Sequence, residues 1–392
     1  MITYGSVCSG IEAVTVAWHD LGFVPSWFSE IEKFPSAVLS HHYPHVPNLG
    51  DMTKISDKIL KLEAYAPDIL IGGTPCQAFS VAGLRGGISD ARGQLTLSFV
   101  QLGNQIDATR MQAGKQPSII VWENVPGVLS SKDNAFGCFL AALAGESEPL
   151  LPSGKKWANA GYVVGPQRTI SWRILDSQYF GVAQRRRRVF VIASARDDFD
   201  TLATLFEFEG LRRDIAPSRS AGEEIAGTIG ARTGLSLGTQ DAQCGHLIPF
   251  TPSAFAQYAE GVGTLKSSGG DIGGGSETLL VYALAGNTIG RQPMNGGNHT
   301  GYDGTGSTYT LTATDLHAVV KIYEEENLTH VRRLTCVECE RLQGFPDNYT
   351  FIPFRNKLAA DGPRYKALGN SMAVPVMQWL GVRIYLKLLG LL

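Results

Sequence analysis

Three kinds of side chain with chemical potential recur at the ends of apolar runs. Cys76 follows Pro75 directly after the run DILIGG (68–73). A proline there fixes the turn, so the thiol is aimed at the crevice beyond the strand end, where a thiolate is a carbon nucleophile. On position alone, a free cysteine is more often a small, inert buried hydrophobe, and its neighbours have to argue for chemistry. Glu123 ends the next strand-like run, SIIVWEN (118–124), at the same edge. It is either a proton donor or acceptor, or a solvated or helix-capping group. QRRRR (184–188) then leads straight into RVFVIASA (188–195). Strand alternation puts Arg186 and Arg188 on one face and Arg185 and Arg187 on the other, and the pair held against an apolar sheet needs anions there.

Holding these groups at one edge requires a particular scaffold. ITYGSV (2–7), PSWFSE (25–30), DILIGG, SIIVWEN, GYVVGP (161–166) and RVFVIASA alternate with turn residues and helical stretches. That alternation predicts an α/β domain, a doubly wound sheet of six mostly parallel strands. Ligands of such sheets sit at the carboxyl ends of the strands. After about residue 200 the pattern stops: 231–320 hold 17 of the 45 glycines, and Arg232, Lys266 and Arg291 are the only basic residues there. GTIGA (227–231), GTLKS (263–267) and YTLTA (309–313) resemble one another and suggest a small, loop-rich β module, with a flexible linker as the alternative. From 331 the helical and turn pattern resumes, and the apolar tail MAVPVMQWLGVRIYLKLLGLL is expected to pack back on the first unit.

The chain has 392 residues, 44% of them apolar and 18% charged, enough for a sizeable core and two domains. No apolar run approaches membrane-spanning length and the start lacks signal-peptide features, so a cytoplasmic protein is expected. A net charge of −2 excludes a globally basic nucleic-acid binder and makes any such surface local. The six cysteines show no framework spacing. Cys336-x-x-Cys339 lacks a second pair or histidine cluster, so no metal is expected.

A cofactor pocket is expected where the first strand meets CSGIEA. Gly10 would make the tight turn. Glu30, twenty residues on, would accept ribose hydroxyls, and Asp51 would follow a third strand and read an adenine amino group. Glu12 stands where a dinucleotide fingerprint would carry a glycine, which disfavours a pyrophosphate and suits a phosphate-free adenosine.

CSGIEA, GGTPCQAFS, WENVPG, QRRRRVFVIA, RRLTCVECERLQGFPDNY and YKALGNSMAVP, in this order, resemble the motifs of the DNA (cytosine-5)-methyltransferases of prokaryotes and phages. The resemblance implies a Rossmann-like mixed sheet that binds S-adenosylmethionine, formed by 1–199 and completed by 332–392, with a loop-rich β target-recognition domain at 200–331. It implies Cys76 as the nucleophile adding to cytosine C6, Glu123 as the partner of N3, Arg188 holding O2 and Arg186 orienting Glu123 or a phosphate. Cys8, Ser9, Gly10, Ile11, Glu12, Glu30, Ile31, Asp51, Met52, Gly73, Pro75, Asn370 and Ser371 are the implied cofactor residues. Gln77, Ser80 and Arg92, in a glycine-rich loop, would touch a flipped cytosine's DNA, and Arg232, Lys266 and Arg291 are nominated to read bases. Double-stranded DNA is the expected partner of a monomer, and a cognate restriction endonuclease would fit the family. Cys8 and Glu12 depart from the Phe and second glycine of the first motif; Thr74 replaces a Phe and Ala183 a Pro, neither expected to touch the chemistry. Methylation of tRNA cytosine, DNA binding without catalysis, and nicotinamide oxidoreduction are the competing readings.

Overall fold

The computed structural model describes residues 1–74, 93–207, 249–252, 258–260, 279–284, 302–303, 318–323 and 328–392. Seven strands form the main sheet: β1 (Thr3–Val7), β2 (Val24–Trp27), β3 (Ile69–Gly72), β4 (Ile119–Asn124), β5 (Ala160–Val164), β6 (Thr169–Asp176) and β7 (Arg187–Ser194). Their order is β2-β1-β3-β4-β7-β6-β5. The first four run parallel; β7 lies antiparallel to β4, and β6 and β5 alternate after it. The sheet is therefore mixed, as the resemblance implies.

Two expectations need correction. The sheet has a seventh strand, TISWRILD, whose polar and aromatic residues mask its alternation in sequence; all but its first residue are buried between neighbours. No strand precedes Asp51, only a single parallel bridge between Phe28 and Asn48. DILIGG is consequently the third strand.

Alternate residues of the central strands feed two apolar layers, the period-2 consequence of a sheet covered on both faces. Ile69, Ile71, Ile119, Val121, Phe190 and Ile192 face one layer, with α1 (Ala13–Trp18), α2 (Lys33–His42) and the C-terminal helices. Leu70, Ile120, Trp122, Val189, Val191 and Ala193 face the other, with α3 (Ile55–Leu60), α4 (Gly93–Gln112) and α5 (Ala135–Ala144). Beyond β7 lies the short α6 (Thr201–Leu205).

A second sheet is antiparallel: β8 (Pro249–Pro252), β9 (Tyr258–Glu260), β10 (Leu279–Leu284), β11 (Tyr302–Asp303), β12 (Ala318–Tyr323) and β13 (Leu328–Arg333), ordered β13-β12-β10-β8-β9 with β11 also on β10. The segments GTIGA, GTLKS and YTLTA lie outside the described residues. The strand β13 runs through Arg333, past the expected change at 331, because Arg332 and Arg333 still pair with Val319 and Ala318. A capping box, Thr335 with Glu338, then starts α7 (Cys336–Gln343), so both cysteines of the C-x-x-C pair are helical and buried. After the hairpin β14 (Pro353–Phe354) and β15 (Lys357–Leu358) come α8 (Asp361–Asn370) and α9 (Val374–Leu388). The tail does pack back on the first unit: Trp18 Nε1 donates to the Met377 carbonyl of α9 at 2.7 Å. A Cβ on Gly381 would come within 2.3 Å of the same indole, so the contact requires glycine there.

Candidate functional site

The strands β1 and β3 are where the chain order of the sheet reverses, and a cleft opens at their carboxyl ends. It is lined by Ser6, Val7, Cys8, Ser9, Gly10, Ala13, Val14, Gly73, Glu123, Asn370, Ser371 and Met372. Residues from the first 15 positions and the last 25 therefore meet there.

The turn from β1 into α1 carries three left-handed residues, Cys8 (φ 50°), Gly10 (φ 57°) and Glu12 (φ 61°). Only Gly10 adopts this conformation without steric cost. Its N–H donates to Glu30 Oε2 at 2.8 Å, and Glu30 Oε1 accepts from Glu32 N–H at 2.7 Å. The Ser9 hydroxyl donates to Ser6 O and receives Ser29 N–H, both at 3.0 Å. Burial raises the Glu30 pKa. Each carboxylate oxygen keeps a further lone pair for a ligand hydroxyl.

The remaining expected cofactor residues divide. Ile31 is 76% exposed beside Glu30, a bare apolar surface for a flat ring. Met52 is buried and receives the Cys8 thiol at 3.7 Å. Asp51 Oδ1 is taken by the Thr53 N–H and hydroxyl, at 3.0 and 2.8 Å, and Asp51 does not line the cleft. Ile11 is fully buried in the core. The Glu12 side chain also turns inward, where Oε2 accepts from Thr15 N–H at 3.1 Å and from Thr15 Oγ1 at 2.6 Å. Neither Ile11 nor Glu12 presents its side chain to the cleft, which corrects the expectation for both.

On the other wall, Glu123 Oε1 pairs with Arg188 Nε at 3.1 Å; the two side chains are 12% and 15% exposed. Gly73 packs beneath the carboxylate: a Cβ there would lie 3.1 Å from Glu123 Oε2 and 3.4 Å from Met372 Cε. The alternation across QRRRR holds, with Arg186 buried and Arg185 and Arg187 exposed. The assigned partners do not. Arg188, not Arg186, orients Glu123, because the antiparallel pairing of β4 and β7 places Glu123 opposite Phe190 and brings Arg188 to its side. Arg186 instead donates to Gly369 O at 3.3 Å and to Ser371 O at 2.6 Å, holding the C-terminal segment against the cleft. Burial and the Arg188 charge push its pKa down. The Gln184 amide is fully buried, with neither its nitrogen nor its oxygen hydrogen-bonded.

Pro75, Cys76, Gln77, Ser80, Arg92, Arg232, Lys266 and Arg291 lie outside the described residues. Thr74, the residue before Pro75, is doubly latched to β4. Its carbonyl accepts from Asn124 Nδ2 and its hydroxyl from Trp122 Nε1, both at 2.9 Å. The substitution of Thr for Phe thus positions the start of the Pro75-Cys76 segment. The sequence reading also missed Ser6, Val7, Ala13, Val14 and Met372 as cleft residues. Strand alternation gave no reason to choose Ser6, and Met372 was signalled only by its adjacency to Gly369-Asn370-Ser371.

The cleft and the surface beside it suit a nucleoside: the glycine turn and a second glycine floor at Gly73 line the cleft, while Glu30, bonded to that turn, and the exposed Ile31 lie next to it. Among the described residues no group of His, Cys, Asp or Glu could hold a metal ion, and no helix is long and apolar enough to cross a membrane.

Comparison with known proteins agrees with this geometry. The family model described as C-5 cytosine-specific DNA methylase matches residues 2–215 and 257–385. A protein of Escherichia phage P1 named DNA N-6-adenine-methyltransferase is 47% identical over 98% of this chain, and the chain spans 61% of its length. Type II methyltransferase M.HpaII of Haemophilus parainfluenzae is 28% identical over 98% of this chain and 90% of its own. The crystal structure of the S. pombe Dnmt2 methyltransferase superposes with a TM-score of 0.55 at 16% identity, covering all of both chains. That likeness bears on the fold.

Proposed function

The chain belongs to the C-5 cytosine-specific DNA methylase family, whose members take their methyl group from S-adenosylmethionine, and from that premise we propose that it methylates carbon 5 of cytosine in a specific DNA sequence. The observation that carries the reading is the Glu123–Arg188 pair at the edge of the cofactor cleft, one strand over from Thr74, which Asn124 next to Glu123 latches at the start of the Pro75-Cys76 segment.

Bound S-adenosylmethionine supplies an electrophilic methyl group. Cys8, Ser9, Gly10 and Gly73 would line it, Glu30 would accept from its ribose hydroxyls, Ile31 would lie against its base, and Asn370 and Ser371 would close over the methionine end. Cytosine C5 is a poor nucleophile, so Cys76 first adds as thiolate to C6, and the ring electron pair moves toward N3 and C5. The Glu123 carboxyl donates a proton or a hydrogen bond at N3, where that charge collects. Arg188 holds Glu123 in place and reaches toward O2. After C5 is methylated its proton leaves to a base, and elimination of Cys76 restores the aromatic ring. A stacked base is out of reach of these groups, so the cytosine is flipped into the cleft, with Gln77, Ser80 and Arg92 contacting the DNA around it.

Residues 1–199 with 332–392 form the catalytic domain in this reading and 200–331 the target-recognition domain, where Arg232, Lys266 and Arg291 meet base edges or phosphates. The protein acts as a cytoplasmic monomer, and a cognate endonuclease is a natural partner.

The phage P1 name favours a second reading, methylation of adenine N6. An exocyclic amine needs no covalent thiol, so the reading leaves Cys76 and Arg188 without a role. About two-fifths of the P1 protein also lies beyond this chain's span, where that activity has room to reside. Incubation with labelled S-adenosylmethionine and unmethylated DNA, followed by nucleoside mass spectrometry, separates them. 5-Methyldeoxycytidine without N6-methyldeoxyadenosine is expected. The reverse pattern, or label found on tRNA alone, would replace the proposal.

A further inference from the structure

Glu12 combines three features that no ordinary helix cap shares. Its backbone is left-handed, at φ 61° and ψ 59°, a conformation that disfavours a residue with a Cβ. Its carboxyl group is buried, with the residue only 1% exposed, and Oε1 has no hydrogen-bond partner. Oε2, by contrast, accepts both the N–H and the hydroxyl of Thr15. A strained, desolvated carboxylate at a turn persists only where the surroundings over-determine it.

The surroundings are a polar cluster on the core side of the cofactor turn. The Thr15 hydroxyl meets Tyr4 Oη at 2.7 Å. The Tyr349 hydroxyl donates to the carbonyl of Ile11, the residue before Glu12, at 2.9 Å, and Tyr43 Oη is 3.0 Å from Tyr349 Oη. Burial raises the pKa of Tyr4, Tyr43 and Tyr349, and the Glu12 charge adds to the shift in each, so the three phenols stay neutral around it. On the outer side of the turn, Gly10 donates to Glu30. The turn is thus pinned twice, at Gly10 toward the cleft and at Ile11-Glu12 toward the core.

We propose that Glu12 is a positioning residue for the cofactor, setting the turn Cys8–Glu12 through its bonds to Thr15 and so fixing the Gly10–Glu30 contact that aims the ribose-binding carboxylate. This rests on the cofactor reading of the cleft. Glu12 does the work by conformation and not by contact, since its side chain is absent from the cleft wall. Deleting the side chain frees the turn to sample other conformations and weakens binding, while the catalytic wall, built on β4 and β7, is untouched. Glutamine keeps an acceptor for Thr15 and restores the cluster.

The test is calorimetric binding of S-adenosylhomocysteine to the full chain and to Glu12→Ala and Glu12→Gln, alongside kcat at saturating cofactor. Loss of a cap of this kind corresponds to roughly a tenfold weaker Kd in Glu12→Ala, with kcat within about threefold and Glu12→Gln within about threefold of the parent in Kd. Should Glu12→Ala fail to fold, Thr15→Val removes the hydroxyl bonded to Glu12 and is expected to weaken binding at least about threefold. Parental affinity in Glu12→Ala and Thr15→Val, or equal losses in Glu12→Ala and Glu12→Gln, would overturn the proposal. Failure of the parent protein to bind would instead remove the cofactor reading beneath it.

Discussion

The two walls of the cleft are built by different means. The cofactor wall is local: the turn 8–12, the segment 29–32 and the loop 48–52 bond to one another within about forty residues of chain. The catalytic wall is assembled at long range, from Glu123 on β4, Arg188 on β7 and the C-terminal segment that Arg186 holds. Backbone turns shape the first wall and charged side chains the second. Substitutions on the first should therefore change cofactor affinity, those of Glu123 or Arg188 turnover, and those that release the C-terminal segment both the assembly and the cofactor site.

The sharpest form of that contrast is Glu123→Gln. Removing the proton donor at N3 should lower kcat by about 100- to 1000-fold while cofactor Kd stays within about twofold, measured by single-turnover methylation and calorimetry. A matching loss of cofactor affinity would mean that the walls are not separable. Arg186→Leu should destabilise the protein by about 3 kcal/mol, because two buried carbonyls lose a charged donor, and should weaken the cofactor site by releasing Asn370 and Ser371. Denaturant unfolding checks the first effect and calorimetry the second.

On the local wall, Glu12 predicts a pH signature. Burial raises its pKa from the ordinary 4.5 to about 7, the bonds from Thr15 opposing the shift. An acid whose folded pKa is raised contributes stability that is fully present below about pH 4.5 and lost as pH rises through 7. The unfolding free energy of the parent relative to Glu12→Gln should thus fall by on the order of 3 kcal/mol between these limits. A flat difference would show that the carboxyl titrates normally. Such a cost to stability is what a buried functional carboxylate would impose. The smallest effect is expected for Thr74→Val, which leaves the buried Trp122 N–H without its acceptor and should cost about 1–2 kcal/mol in thermal or denaturant unfolding.

The same division governs what could be read from the amino-acid order. CSGIEA followed at twenty residues by Glu30 is a local pattern, and Gly10 and Glu30 are bonded as that spacing implies. Asp51 has a nearby donor in Thr53 on one carboxylate oxygen, a bond that spacing does not reveal. Glu12 was expected among the cofactor residues, and its carboxyl turns to Thr15 in the core instead. Arg186 and Arg188 were correctly placed on one face by strand periodicity. Their partners depended on the register of β7 against β4 and on where residues 369–371 return, neither of which is written locally. β6 escaped notice because Thr169, Ser171 and Arg173 break its apolar run, although Ser171 and Arg173 are buried and bonded to Thr201 and Leu205 of α6.

The central claim, that Cys76 attacks cytosine C6, is tested most directly by trapping. Duplex DNA carrying 5-fluorocytosine at every cytosine blocks loss of the C5 substituent and so retains the thiol adduct after methyl transfer. Incubation with S-adenosylmethionine should yield a denaturation-resistant protein–DNA species whose digestion maps the crosslink to Cys76, and none with Cys76→Ala. Efficient methylation of ordinary DNA by the Cys76→Ala protein, or a crosslink at any other residue, would contradict the account.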